Sequence, residues 1–224
     1  MNWSEESGIN YLFHKQTGAD TAVMLFHGYG ADANDLAPLS QVIDQEGRFD
    51  WYFPQGILEV PIGPMMTGRG WFSIENRDWE ALMRGEIDDS PFTETTKKTL
   101  ESVLGLTHKL LDSYDKVFIG GFSQGAILTS HAFYRYNFVP KGLILMSGYL
   151  NAPSEYPTIP DQLKVPFIQS HGQADQVLPL AGAKKLYSQL TEFGLPGEFV
   201  EFMGGHEIPM EVIAKVKAFI EDQL

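Results

Sequence analysis

The stretch "VFIGGFSQGAILTSHAF" (residues 117–133) joins a short apolar run to a longer amphipathic segment through a turn with one serine between two glycines. The run "KVFIGG" has the length of a strand, and "GAILTSHAFYRY" has the length of a helix. The pattern therefore predicts a strand, a tight turn and a helix. Gly121 and Gly125 let such a turn pack closely, which leaves the side chain of Ser123 pointing outward.

The same alternation of strands and helices continues along the chain. Further predicted strands are "TAVMLF" (21–26), "DWYF" (50–53), "GLILMSG" (142–148), "VPFIQSHG" (165–172) and "GEFVEFM" (197–203). Further predicted helices cover residues 34–47, 90–114, 179–194 and 209–224. This order predicts a single α/β domain over residues 1–224, with a mostly parallel twisted sheet and helices on both faces.

Two segments between the first and third predicted strands have their own signals. In the helix over 34–47, Asn34 is the predicted N-cap and Gly47 the predicted end. Residues 54–90 are rich in glycine, proline and methionine and are predicted to form a long loop that leaves the alternating strands and helices. Within it, residues 57–74 show neither a helical nor a strand period.

The composition excludes several classes of function. The net charge is −13 and the lysines and arginines form no cluster, which argues against nucleic acid as a partner. The chain has no cysteine, so disulfides, thiol nucleophiles and thiolate metal sites are excluded. The early residues are polar and no apolar run could span a bilayer, so we expect a cytoplasmic protein without stable membrane insertion.

The histidines outside the last loop show no spacing typical of a metal site. Apart from His27, which follows the first predicted strand and is considered below, they are His14, His108, His131 and His171. His171 and Asp175 are four residues apart, but His171 lies at a strand end and Asp175 has a better use below. We therefore predict no metal and no cofactor.

Ser123 is the candidate nucleophile. The competing interpretation is a glycine-rich phosphate loop, but Phe122 occupies the second glycine position of the dinucleotide pattern, and the Lys-Ser/Thr ending of a P-loop is missing. A serine between a strand and a helix matches the nucleophile elbow instead. A serine hydroxyl becomes a good nucleophile only when an oriented base takes its proton.

Asp175 and His206 are the candidate acid and base. Asp175 follows a predicted strand in "SHGQADQVLP", where an aspartate could equally cap a helix or form a turn. His206 follows the last predicted strand in "FMGGHEIP", where a histidine could equally be a solvent-exposed residue. The chain order Ser, Asp, His, each after a strand, is the order that elbow chemistry uses.

Two backbone N–H groups are predicted to stabilise the oxyanion. One belongs to Gln124, which follows the nucleophile. The other belongs to Tyr29 in "HGYGAD" (27–32), where Gly28 and Gly30 allow close approach. His27 lies directly at the strand end and is interpreted as a structural residue rather than a base.

Six motifs together resemble the phospholipase/carboxylesterase family of α/β-hydrolases, which includes acyl-protein thioesterases and small bacterial carboxylesterases. They are "HGYGAD", "FPQGI", "GRGWFSI", "GGFSQGA", "HGQADQVLP" and "GGHEIP". The resemblance spans about residues 20–212 and implies the α/β-hydrolase fold, the triad Ser123, Asp175 and His206, and oxyanion donors on Tyr29 and Gln124. It departs from the family at Ser73, where an aspartate is usual.

The resemblance also implies an acyl-binding wall formed by Met65, Met66, Trp71 and Phe72, although apolar residues in such a segment are more often buried fill. The crossing loop 149–164 is too short for a separate lid domain, which favours small ester substrates. We therefore expect a carboxylesterase acting on short- to medium-chain acyl or aryl esters. Alternatives are a lysophospholipase, an acyl-protein thioesterase, or a catalytically silent binding module, and a homodimer is left open.

Overall fold

A computed structural model describes residues 1–74, 94–136, 138–149 and 164–224. Its strands are β1 (Asn2–Glu6), β2 (Ile9–His14), β3 (Thr21–Phe26), β4 (Asp50–Pro54), β5 (Leu58–Gly63), β6 (Met66–Gly70), β7 (Lys116–Phe122), β8 (Gly142–Met146), β9 (Phe167–Gly172) and β10 (Gly197–Phe202). Its helices are α1 (Leu39–Ile43), α2 (Glu94–Ser113), α3 (Gln124–Tyr136), α4 (Leu180–Glu192) and α5 (Met210–Asp222).

Eight of these strands form one sheet in the order β1-β2-β4-β3-β7-β8-β9-β10. The pairings from β4 through β3, β7, β8 and β9 to β10 are all parallel, whereas β1 pairs antiparallel with β2 and β2 pairs antiparallel with β4. The prediction of a mostly parallel sheet is confirmed. Because parallel strands point the same way, the loops after β3, β7, β9 and β10 all leave from one edge of the sheet.

The sheet is covered on both faces, as predicted. Along β3, Ala22, Met24 and Phe26 belong to the buried cluster on one face, while Val23 and Leu25 belong to the cluster on the other. Helices α2, α3 and α4 contribute to the first cluster, and α1 and α5 to the second. A strand buried on both faces must be apolar throughout, which explains the continuous run "TAVMLF".

The antiparallel edge of the sheet was not predicted. Strand β1 is polar and mostly exposed, and it has no apolar run to mark it. Strand β2 pairs with β4, placing Leu12 opposite Phe53. The strand that joins this hairpin to the sheet, β4, lies far from β2 in sequence, so the composition of β1 and β2 alone indicates little.

The prediction that residues 57–74 lack regular structure was wrong. Strands β5 and β6 form an antiparallel hairpin, with Val60 buried and opposite Gly68. A register shift between Pro61 and Gly63 and a positive φ of 61° at Met65 shape its tip. The bulge and the glycines interrupt the alternation that would have marked two strands.

The helix predicted over 34–47 is shorter than expected. Helix α1 covers only Leu39–Ile43 and begins after Pro38, so Asn34 is not its N-cap and Gly47 lies beyond its end. The residues before it form turns, in which the Asp32 carboxylate accepts the Asn34 N–H at 2.7 Å. An aspartate that binds a backbone N–H two residues later favours a turn over a helix.

Two predictions lie outside the described ranges. One is the start of a helix at Ser90, and the other is that the crossing loop 149–164 forms no separate lid domain. In the parts of the chain that are described, no helix is both long and apolar enough to cross a bilayer.

The buried His131 in α3 should make stability depend on pH. Burial, followed by the charge of Arg135, lowers the pKa of His131 from 6.5 to about 3. Between these values the unfolded chain binds a proton that the folded chain does not. The free energy of unfolding therefore falls as pH drops through this window, by up to about 1.4 kcal/mol per pH unit.

The change His131→Leu should reduce the steepness of this decline, because leucine binds no proton. Urea denaturation between about pH 7 and pH 5 measures it. His108→Gln, at an exposed histidine on α2, is the control and should leave the slope unchanged. An identical slope for His131→Leu and wild type would contradict the prediction.

Candidate active site

Ser123 sits in a strained turn between β7 and α3. Its φ is +54°, a value that non-glycine residues rarely adopt. The turn is held by the Ser123 N–H, which donates to the Met146 carbonyl at 2.9 Å, and by the Ser123 carbonyl, which accepts from Ala126 and Ile127 at 3.0 Å. The predicted strand, turn and helix are therefore present, with the serine only partly buried at the turn.

The two glycines of the motif allow the turn to touch the end of β3. A Cβ atom on Gly121 would lie 2.5 Å from the Phe26 carbonyl oxygen, and one on Gly125 would lie 2.0 Å from it. Both distances are far shorter than van der Waals contact, so neither position accepts a side chain without backbone movement. The spacing around Ser123 thus has a packing cause in the neighbouring strand.

Asp175 and His206 are brought together as predicted. The loop after β9 presents Asp175 and the loop after β10 presents His206, with Asp175 Oδ2 2.7 Å from His206 Nδ1. An ionised carboxylate can only accept, so Nδ1 carries the proton and Nε2 is left to act as a base. The Asp175 side chain is fully buried, whereas that of His206 is 15% exposed.

The Asp175 carboxylate is held by several donors. Burial acts to raise the pKa of Asp175, but the hydrogen bonds from His206 and from the Leu178 N–H outweigh it and keep the pKa below its ordinary value. The other oxygen, Oδ1, accepts the N–H groups of Val177 at 2.8 Å and Leu178 at 2.9 Å. Asp175 is therefore ionised and fixed in orientation at neutral pH.

A second histidine supports the same loop. His171 Nε2 lies 2.8 Å from the Leu178 carbonyl and 3.3 Å from Asp175 Oδ2, and the ring is fully buried. The sequence shows the H-x-x-x-D spacing of His171 and Asp175 but does not indicate a role for His171. Here it closes the turn that carries Asp175.

His206 packs beside the serine turn. Its ring lies 4.8 Å from that of Phe122, the residue before Ser123, measured between centroids. Among the contacts of the described residues, none is a hydrogen bond between Ser123 Oγ and His206. Bonds between a nucleophile and its base are often long without substrate and tighten when it binds.

The two predicted oxyanion donors follow residues that lie against each other, because Tyr29 follows Gly28 and Gln124 follows Ser123. A Cβ atom on Gly28 would be 3.4 Å from Ser123 Cβ, which places the loop after β3 against the serine. Gln124 follows Ser123 directly. Within the described ranges, neither the Tyr29 N–H nor the Gln124 N–H has a hydrogen-bond acceptor. Two unpaired donors beside one serine can bind a developing negative charge.

Among the described residues, no group of three His, Asp or Glu side chains is arranged so that it could hold a metal ion.

The family model for phospholipases and carboxylesterases matches residues 9–224. The chain belongs to the phospholipase/carboxylesterase family. Acyl-protein thioesterase 1 of Debaryomyces hansenii is 28% identical and covers 92% of each chain. Carboxylesterase SOBER1 of Arabidopsis thaliana is 24% identical with the same coverage. The solved esterase PE8 is 22% identical, covers 99% of this chain and 100% of its own, and superposes with a TM-score of 0.78.

In this member of the phospholipase/carboxylesterase family, Trp71 has a different role from the one predicted. Its side chain is fully buried and cannot line an open acyl-binding wall. Its indole N–H donates to the His27 carbonyl and its backbone N–H to Gln124 Oε1, each at 2.8 Å. Gln124 Nε2 in turn donates to the Phe72 carbonyl at 2.7 Å. Trp71 thus ties the end of β3 to the start of α3.

The remaining predicted wall residues fall into two groups. Met65 and Met66 lie at the tip of the β5–β6 hairpin and are highly exposed. Phe72 is only partly buried and packs with Ile127, Leu178 and Tyr149 in a small apolar cluster. Ile127 lies in the first turn of α3 and Leu178 in the loop of Asp175, so this cluster adjoins the elements that carry Ser123 and Asp175.

The close packing of Gly125 leads to a stability prediction. Gly125→Ala should lower the free energy of unfolding by about 3 kcal/mol, because the new Cβ would overlap a backbone carbonyl that cannot swing away. Urea denaturation measures the change. Gly205→Ala is the matched control, since a Cβ there would meet nothing within 4 Å, and a change within about 0.5 kcal/mol is expected. Equal losses in the two variants would contradict this view of the turn.

Proposed function

We propose that this protein is a serine esterase that hydrolyses carboxylic esters through an acyl-enzyme on Ser123. The observation that carries the proposal is the hydrogen-bonded pair Asp175–His206 beside the strained turn of Ser123, against which the loop that carries Tyr29 packs. Within the described residues, the N–H groups of Tyr29 and Gln124 have no acceptor. Membership of the phospholipase/carboxylesterase family supports the same chemistry.

The proposed reaction uses the groups as follows. His206 Nε2 takes the proton of Ser123 Oγ while that oxygen attacks the ester carbonyl carbon. The Tyr29 and Gln124 N–H groups bind the oxyanion that forms, and Asp175 stabilises the imidazolium. The imidazolium then gives its proton to the alcohol oxygen, and the alcohol departs. The acyl group remains bound to Ser123 Oγ. Water, deprotonated by His206, then attacks the acyl carbon; the bond from that carbon to Ser123 Oγ breaks, His206 returns the proton to Ser123 Oγ, and the acid is released.

Thioester or lysophospholipid hydrolysis is the second candidate. The tetrahedral chemistry at the carbonyl is shared, so only the fit of the acyl and leaving groups distinguishes these substrates. The apolar cluster of Phe72, Ile127, Leu178 and Tyr149 beside the triad favours an acyl chain over a polar acid part. The name of the Debaryomyces relative points in the same direction. Values of kcat/KM for matched esters, thioesters and lysophospholipids with one acyl chain separate the candidates.

A catalytically silent binding module is the non-enzymatic alternative. It would need a missing catalytic group, whereas the serine, the acid–base pair and both donors are all present in the chain. The proposal also includes a small-molecule ester as the partner and a cytoplasmic location.

The first test removes the nucleophile. Ser123→Ala should lower kcat for a p-nitrophenyl ester by about 10⁶-fold, because the acyl-enzyme cannot form. Ser7→Ala is the matched control: Ser7 also has a positive φ, of 53°, but lies in the turn between β1 and β2. Labelling by a fluorophosphonate should be lost in the first variant and kept in the second. Hydrolysis retained by Ser123→Ala would refute the proposal.

The second test changes the acid. Asp175→Asn should lower kcat by about 10⁴-fold, because an amide that donates to His206 favours the wrong tautomer of the imidazole. Asp20→Asn, at a carboxylate that pairs with Lys116 on the surface, is the control and should keep wild-type turnover. Wild-type turnover in Asp175→Asn would exclude Asp175 from the triad.

A further inference from the structure

We infer that His27 is a positioning residue: its ring holds the Gly28 carbonyl and thereby aims the Tyr29 N–H at the oxyanion. From the sequence alone, His27 is interpreted only as a structural residue. The inference rests on the proposed function, because it assigns a cause to the orientation of one proposed oxyanion donor. It concerns a residue that touches neither the substrate nor the reacting atoms.

The hydrogen bonds of His27 fix its tautomer. The ring is 1% exposed, and its Nε2 lies 3.0 Å from the backbone N of Gly56. A backbone N–H can only donate, so Nε2 accepts and the ring proton lies on Nδ1. Nδ1 lies 2.7 Å from the Gly28 carbonyl oxygen and donates to it. Burial lowers the pKa of His27, although the bond to Gly28 opposes this, so the ring is neutral at neutral pH.

The orientation of one peptide group follows from this bond. In a planar trans peptide, the carbonyl and the N–H of the next residue point in opposite directions. With the Gly28 oxygen held towards the His27 ring, the Tyr29 N–H points away from that ring. The Gly28 residue itself packs against Ser123, as the 3.4 Å between its hypothetical Cβ and Ser123 Cβ indicates. The Tyr29 N–H has no acceptor within the described ranges, as expected for a donor kept for a ligand.

Neighbouring bonds keep this loop from turning as a whole. The Gly28 carbonyl also accepts from the Ala31 N–H at 3.3 Å, which closes a turn with a φ of +84° at Gly30. The Gly30 N–H donates to the Arg69 carbonyl of β6 at 2.8 Å. The peptide group between Gly28 and Tyr29 is held by two hydrogen bonds, which its carbonyl accepts from His27 and Ala31. Rotation of this peptide group would therefore break only those two bonds.

A role as a base does not fit His27, since both ring nitrogens already have partners and the ring is buried. A role as core filling fits in part, because the ring packs 5.0 Å from that of Trp71. If His27 only filled the core, however, loss of the bond to Gly28 and loss of the bond to Gly56 would lower activity to the same extent. Positioning makes only the bond to Gly28 matter.

Two substitutions separate these roles. In His27→Asn, the side-chain amide nitrogen replaces Nδ1 and can still donate to Gly28, while the bond from Gly56 is lost. In His27→Gln, the side-chain oxygen replaces Nε2 and can still accept from Gly56, while the bond to Gly28 is lost. Each variant keeps one of the two bonds, and both lose the aromatic ring.

Turnover of a p-nitrophenyl ester is measured for both variants together with urea denaturation. We expect kcat to fall about 100-fold in His27→Gln and less than about tenfold in His27→Asn, with KM changed little in either, because the oxyanion exists only after attack. The free energy of unfolding should fall by similar amounts in the two. Equal losses of kcat that track the loss of stability would overturn the inference.

A measurement without catalysis tests the tautomer directly. The ¹⁵N spectrum of the histidine rings in the wild-type protein should show His27 protonated at Nδ1 alone. A ring protonated at Nε2, or at both nitrogens near neutral pH, would overturn the inference even if neither variant folds.

The outcomes also separate this inference from the proposed function. If the wild type hydrolyses the ester and Ser123→Ala does not, equal effects of the two His27 variants would reject only the positioning role. If the wild type hydrolyses none of the esters, thioesters and lysophospholipids, the proposed function fails and the positioning role fails with it.

Discussion

The contact between the Phe26 carbonyl and the two glycines of the serine turn is the constraint on which the rest of the site depends. It requires Gly121 and Gly125 to lack side chains. It sets the end of β3 against the start of α3, and the loop after β3 therefore begins beside Ser123. One proposed oxyanion donor, on Tyr29, lies in the loop after β3, and the other, on Gln124, lies at the start of α3. A shift here would separate the donors from each other and from the serine at once.

Much of the fold and the main site residues could be predicted from sequence, because each depends on local order along the chain. Apolar runs alternating with helix-length segments indicate a parallel sheet, and parallel strands bring the residues that follow them to one edge. That is enough to place Ser123, Asp175 and His206 near one another. The bond between Asp175 and His206 follows from the fold, since β9 and β10 are neighbours in the sheet.

What could not be predicted depends on partners far away in sequence. The β5–β6 hairpin is shaped by a bulge and by its pairing with the loop after β3, and neither has a local signal. Trp71 looks like any apolar residue near a site, yet all three of its polar groups are used inside the protein: two bind His27 and Gln124, and its carbonyl accepts from Thr99. The side chain of Gln124 had no predicted role, because its partners are the backbone groups of Trp71 and Phe72.

The site keeps strain and unpaired groups that the surrounding bonds make tolerable. The positive φ at Ser123 reduces stability, and so does the N–H of the buried Gln124, which has no acceptor among the described residues. The fold offsets this with bonds that also set the geometry: the Asp175 carboxylate closes its own loop while it orients His206, and Trp71 joins β3 to α3 while it fills the core. Residues beside the site therefore serve folding and chemistry through the same contacts. For that reason, only pairs of variants that lose comparable stability and differ in one bond can separate the two roles.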